Sequence, residues 1–242
     1  MKNLKTKSVS EFVADDYRTA AIFQKYGIDF CSNSNETIDE ISKNKNISAD
    51  ELLTKLIDIA EQTDNRKMDF QSWPLDLLAV YIEKKYHRYF DQITPVIMQY
   101  LDKLCEIHGN HHPELFEINE EFNMAARELA AHMKKEEFIL FPYIRKMVVA
   151  KNNPKNEGWP RLNSVQHPIK LMMMEHGIEG ERFKKMSALC DNYTPPIDAC
   201  NTYKATFSLL KEFEDDLHLH IHLENNILYP KAIALKEKLN VE

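Results

Sequence analysis

Two stretches of the chain, HMKKEEFILFP from His132 to Pro142 and HIHLENNILYP from His220 to Pro230, share the pattern H-x-x-x-E-x-x-I-L-x-P. In a helix, residues four apart lie on one face, so each stretch sets a histidine and a glutamate side by side ahead of an apolar exit that ends in proline. A carboxylate on a core-facing stripe costs several kcal/mol to bury without a partner, and this fold must do so twice. A bound cation is the economical partner. The duplication suggests two halves of one site related by an approximate twofold.

Helical phase tests this from the neighbouring residues. Leu210, Phe213, Leu217, His220, Glu224 and Ile227 form one stripe at spacings of three and four, and Phe122, Ala125, Leu129, His132, Glu136 and Ile139 form another. Lys211, Asp215, His218, His222 and Asn225 lie on a different, polar line, which predicts a solvated surface for His218 and His222. Two further helical patterns each offer one inward histidine: His87 on the line of Val80, Phe90 and Ile97, and His176 on the line of Ile169, Met173 and Phe183. The Met172–Met174 run reads as core packing. His108, His111 and His112 fall in a turn and are expected to be solvated.

These patterns occupy four long helical segments, about 74–108, 113–150, 165–192 and 197–236, separated by HGNHHP, KNNPKNEGWP and DNYTPP. Short connections imply antiparallel neighbours in a four-helix bundle. Pro95, Pro142 and Pro230 predict local kinks or ends. Residues 1–63 read as a small domain of short helices, with capping-box spacing at Thr37/Glu40 and Ser48/Glu51 and a left-handed helix end at Gly27. The polar stretch at 64–73 is the expected linker to a bundle domain over 74–242. Five glycines in 242 residues leave few sites for hairpin turns, and the expected class is all-α.

A formal charge of −7 argues against broad nucleic-acid binding. The start MKNLKTKSVSEF has no signal-peptide apolar run, and no later stretch nears the roughly 20 apolar residues of a membrane span, so a soluble, cytoplasmic protein without a membrane partner is expected. The four cysteines, Cys31, Cys105, Cys190 and Cys200, show no CxxC spacing and read as thiols in a reducing compartment.

Imidazole and carboxylate without thiolate suit iron, manganese or zinc. His87, His132, Glu136, His176, His220 and Glu224 are too many ligands for a tetrahedral structural zinc, and they suit a metal pair inside a bundle. Each metal would take two histidines and share both glutamates. A redox-active di-iron centre is the inference.

The chain resembles the iron-sulfur cluster repair di-iron proteins, also called regulators of cell morphogenesis and nitric oxide signalling. The resemblance covers nearly the whole length. DYRTAAIFQKYGIDFC is similar to that family's small N-terminal domain; Tyr86-His87, HMKKEEFILFP, Met174-Glu175-His176, TPPIDACNTYKATF and HIHLENNILYP are similar to its hemerythrin-like bundle. The resemblance implies two non-haem iron ions, oxo- and carboxylate-bridged, on the six residues named above. It also implies restoration of clusters damaged by oxidative or nitrosative stress, by iron donation rather than enzymatic turnover. Apo or damaged iron-sulfur proteins are the implied partners, and a homodimer is compatible with the small domain.

One departure matters. The family usually has two adjacent cysteines after GIDF, whereas GIDFCSNS keeps only Cys31. Chemistry needing a vicinal thiol pair is thereby put in doubt; a lone thiol can bind iron transiently, form a mixed disulfide, or simply pack. Glu128, one turn before His132, and Glu175, beside His176, are candidate second-layer groups for iron exit, against the plainer reading of solvated helix charges. Rival functions are a dioxygen or nitric oxide sensor, a nitric oxide-reducing enzyme, and a bundle that metal merely stabilises.

Overall fold

The structure, a computed structural model, describes residues 2–28, 30, 33, 35–61, 68–152 and 165–241. It is all-α. Among the described residues the only β-type pairing is one isolated bridge between Ser8 and Thr37. The N-terminal helices are α1 (Lys2–Lys5), α2 (Val9–Asp15), α3 (Thr19–Lys25), α4 (Ile38–Lys45) and α5 (Ala49–Glu61). The four long rods follow: α6 (Leu75–Ile82) running into α7 (Arg88–His108), α8 (Glu114–Lys135) into α9 (Phe141–Asn152), α10 (Gln166–Leu189), and α11 (Asn201–Leu223) into α12 (Tyr229–Val241). No helix among the described residues is long and apolar enough to cross a membrane.

Three rods are joined through a five-residue π-helical segment, Glu83–His87, Glu136–Leu140 and Glu224–Leu228. Their exits are closed by bonds from the Arg88, Phe141 and Tyr229 amides to the carbonyls five residues back, Glu83, Glu136 and Glu224. In two cases the next residue is Pro142 or Pro230. Proline has no amide proton to continue the four-residue ladder, so the chain relaxes into the wider turn there. Pro95 lies inside α7.

The chain divides into two compact units. The first is Met1–Pro74 with His218–Lys231. Its core includes Val9, Phe12, Phe23, Ile38, Ile41 and Leu52, with Leu219 packed against it. Helix starts follow the sequence closely: Ser8 with Glu11 and Thr37 with Glu40 form reciprocal capping boxes. Ser48 caps the Glu51 amide at 3.3 Å, while the Glu51 carboxylate instead accepts from Tyr26 at 2.8 Å. Gly27 takes φ +64°, the left-handed end expected of it.

The second unit is Leu75–Leu217 with Ala232–Glu242. Each rod sends one phenylalanine to its centre: Phe90, Phe122, Phe183 and Phe213, all at most 1% exposed. Phe213 is the hub, with ring centroids 4.7, 5.4 and 5.5 Å from Phe90, Phe122 and Phe183.

Several phase assignments need correction. Val80 is 38% exposed because the π segment Glu83–His87 lies between it and the His87 face. A wider turn rotates the register away from the three-and-four rule. Ile139 is 63% exposed although Ile227, at the same position of the matching π segment, is buried, so what packs against each rod decides that position. On α10, which has no such segment, Met172 is the inward residue and Met173 and Met174 are exposed. The stripe there runs Ile169, Met172, His176, Glu179, Phe183, Met186, and Met173 points well to one side of its midline. His218 and His222 are buried, not solvated: the ring of Phe30 stands edge-on to them at 5.8 and 6.0 Å. The polar line on the last rod faces other protein rather than water.

Candidate metal centre

His87 ends the first π segment, while Glu136 and Glu224 begin the other two. His132 and His220 sit one turn before these glutamates, and His176 lies mid-way along α10. All six side chains belong to residues no more than 3% exposed. Phe90 follows His87, Phe122 precedes His132, Phe183 follows His176 and Phe213 precedes His220, the alternation an up-down bundle requires of one aromatic layer beside one polar layer.

The imidazole Nε2 atoms converge. Glu136 Oε2 is 3.4 Å from Nε2 of both His87 and His132; His132 and His176 approach Nε2 to Nε2 at 3.0 Å; and His220 Nε2 is 3.1 Å from Glu224 Oε1. Two ligand groups result, His87, Glu136, His220 and Glu224, and His132, Glu136, His176 and Glu224, each with its ligand atoms all within 4.8 Å of one another. The groups share both glutamates. Such a donor set fits a metal pair: four imidazoles and two carboxylates, buried together, with the carboxylates common to both halves.

Two carboxylates aim these ligands: Glu175, which the sequence put forward beside the site, and Glu137, which it did not. Glu137 Oε1 lies 3.1 Å from His87 Nδ1, and Glu175 Oε2 lies 2.8 Å from His132 Nδ1. A carboxylate at Nδ1 fixes the tautomer that presents the Nε2 lone pair inward, and it raises imidazole basicity. Burial works to raise both carboxyl pKa values, yet hydrogen bonds from Lys134 and His87 at Glu137, and from Lys135 and His132 at Glu175, hold them below the usual range. Phe141 stacks on His87 at 5.7 Å and 20°, and the Tyr229 hydroxyl donates to Glu224 Oε2 at 3.4 Å. Phe141 and Tyr229 occupy the same variable position of the repeated pattern, the one before proline, so the motif did mark them. Glu137 was marked only by the doubled glutamate of KKEEF.

Glu128 is placed differently from Glu175. Its carboxylate, about half exposed, accepts from Arg182 at 3.1 Å, and Arg182 also binds Glu121 at 2.8 Å. Glu179, one turn beyond His176, is buried; burial, with Glu128 nearby, pushes its pKa up to about 8. Cys31 lies outside the described residues. His111 is exposed, whereas His108 and His112 are half-buried and paired, with Cys200 and Asp198 respectively.

A bundle with inward histidine–glutamate pairs defines a cation-binding helical class, and comparison places the chain within it. The hemerythrin HHE cation binding domain matches residues 78–232, and ScdA_N, a domain of unknown function, matches residues 5–60. The iron-sulfur cluster repair protein YtfE of Enterobacter sp. (strain 638) is 32% identical over 227 residues, covering 93% of this chain and 96% of that protein. The protein of that name from Escherichia coli O81 (strain ED1a) is 33% identical over 218 residues, covering 90% and 92%. The chain belongs to the family of iron-sulfur cluster repair proteins built on a hemerythrin HHE domain.

Proposed function

We propose that this chain is a non-haem di-iron protein that supplies iron to iron-sulfur proteins whose clusters oxidative or nitrosative stress has damaged. The observation that carries the reading is the sharing of Glu136 and Glu224 by two ligand groups. His87 and His220 would hold one ion, His132 and His176 the other, and the two glutamates would bridge. Bound there, an iron pair supplies a redox-active, Lewis-acidic centre. The names of the relatives support the repair role.

The chain's own residues account for both retention and release. The phenylalanine layer and Phe141 close the site to water on the apolar side, and Glu137 and Glu175 hold two imidazoles in register. Glu175 differs from Glu137 in being the more exposed, 29% against 17%. Release of His132 by the more exposed Glu175 would weaken one ligand set, so iron would leave from the His132 and His176 side, past Glu175 and then Glu128. Hard carboxylate oxygens suit transient contact with such a cation.

The test is iron content of anaerobically purified protein, followed by transfer to an apo iron-sulfur acceptor, with a His132→Ala/His220→Ala variant as control. About two irons per chain, lost in the variant and moved to the acceptor, is the expected result. Reversible nitric oxide or dioxygen binding with full iron retention in the presence of acceptor would replace donation with sensing. Zinc in place of iron, after growth with ample iron, would overturn the di-iron reading.

A further inference from the structure

Away from the six ligands, residues distant in sequence converge on Cys200. This cysteine precedes α11, and its carbonyl accepts from the Lys204 amide at 3.1 Å, which makes it the helix N-cap. Its sulfur accepts from the Tyr203 amide at 3.5 Å, in the position where a capping oxygen usually sits. From the end of α7, His108 brings Nε2 to 3.3 Å from the same sulfur. The imidazole is held in turn: the Tyr203 ring meets His108 edge-on at 5.5 Å and His112 at 5.6 Å, and His112 Nε2 is tied to Asp198 at 3.2 Å. A thiol, a base within hydrogen-bond reach and an oriented amide form the geometry of an activated nucleophile.

The other described cysteines show what an inert thiol looks like here. Cys105 and Cys190 are buried, and their sulfurs donate to the Leu115 and Met186 carbonyls at 3.4 and 3.0 Å. Burial pushes the Cys190 thiol up to about 11. Each favours the protonated form. Cys200 is exposed, and its sulfur meets the Tyr203 amide and the His108 imidazole rather than a carbonyl.

We propose that Cys200, with His108 as its base, is a nucleophilic thiol that exchanges with the disulfides of low-molecular-weight thiols. The thiol proton passes to His108 Nε2, and the sulfur attacks one sulfur of the disulfide. A new S–S bond forms, the old one breaks, and its electron pair leaves on the second sulfur, which takes the proton back from His108. Protein thiol and disulfide become mixed disulfide and free thiol, with no other oxidant required. The end of the bundle thereby records the thiol redox poise of its surroundings.

The test treats the full-length, metal-loaded chain with oxidised glutathione, quenches in acid and follows the Cys200 peptide by mass spectrometry. The reference is the synthetic peptide Pro195–Phe207, which carries the same cysteine without His108 or a fixed helix. We expect Cys200 in the protein to react about tenfold faster than in the peptide, and His108→Gln to bring it down to the peptide rate. A folded rate at or below the peptide rate overturns the proposal, as does a folded His108→Gln protein with an unchanged rate. If His108→Gln does not fold, the comparison of wild-type protein with peptide still decides.

Discussion

Replacing Glu137 separates a ligand-aiming role from a merely solvated charge. In the structure Glu137 accepts from His87 Nδ1 at 3.1 Å and from Lys134 at 2.8 Å, and its side chain is 17% exposed. A charge-assisted hydrogen bond to a largely buried partner contributes about 1.5–3 kcal/mol, whereas a neutral amide acceptor retains about 0.5–1.5 kcal/mol. Glu137→Gln should therefore weaken metal binding by about 1–1.5 kcal/mol, roughly tenfold. Glu137→Leu removes the acceptor altogether and frees His87 to rotate, so its loss should reach about 10–100-fold, the range found for outer carboxylates at metal-bound histidines. The assay is competitive titration of anaerobic apo-protein with ferrous iron against a chromophoric chelator. Glu128→Leu is the control, since Glu128 contacts Arg182 and no ligand: affinity should stay within about twofold while transfer to the acceptor slows. Equal iron affinity in wild type, Glu137→Gln and Glu137→Leu would refute the aiming role.

Phe213→Ala removes the hub of the four-phenylalanine layer and should destabilise the metal-free protein by about 3–5 kcal/mol in urea unfolding; a loss below about 1 kcal/mol would mean the layer repacks. Because the Glu179 pKa is raised to about 8 from 4.5, the folded state binds the extra proton between those values. Metal-free stability should thus fall as pH rises across that window, and Glu179→Gln should flatten the profile. Burial depresses the His222 pKa from 6.5 to about 4, so the unfolded chain binds the extra proton in that interval. Stability should fall as pH drops from 6.5 toward 4, with the slope reduced in His222→Gln, a change readable in urea titrations at stepped pH.

What could be read from the residues depends on near neighbours along the chain. The all-α class, the cap boxes at Thr37, the turn at Gly27 and the pairing of His132 with Glu136 and of His220 with Glu224 follow from spacings of three or four and from turn chemistry. The stripe from Leu210 through Ile227 is buried throughout because hydrophobic periodicity and burial coincide when all of a helix face meets the core. The same periodicity misplaced Val80, which lies beyond a π segment whose extra rotation no propensity announces, and Ile139 and Met173, which are exposed.

Tertiary structure decided which other distant groups meet. His218 and His222 lie on a polar line that ought to face water, and they are buried because Phe30, far away in sequence, stands over them. Glu137 lies fifty residues from the His87 it holds, and Cys200 ninety-two from His108. Periodicity records which way a side chain points from its own helix. What waits there, water, an aromatic ring or a histidine, is set by the packing of other segments, which local spacing does not encode.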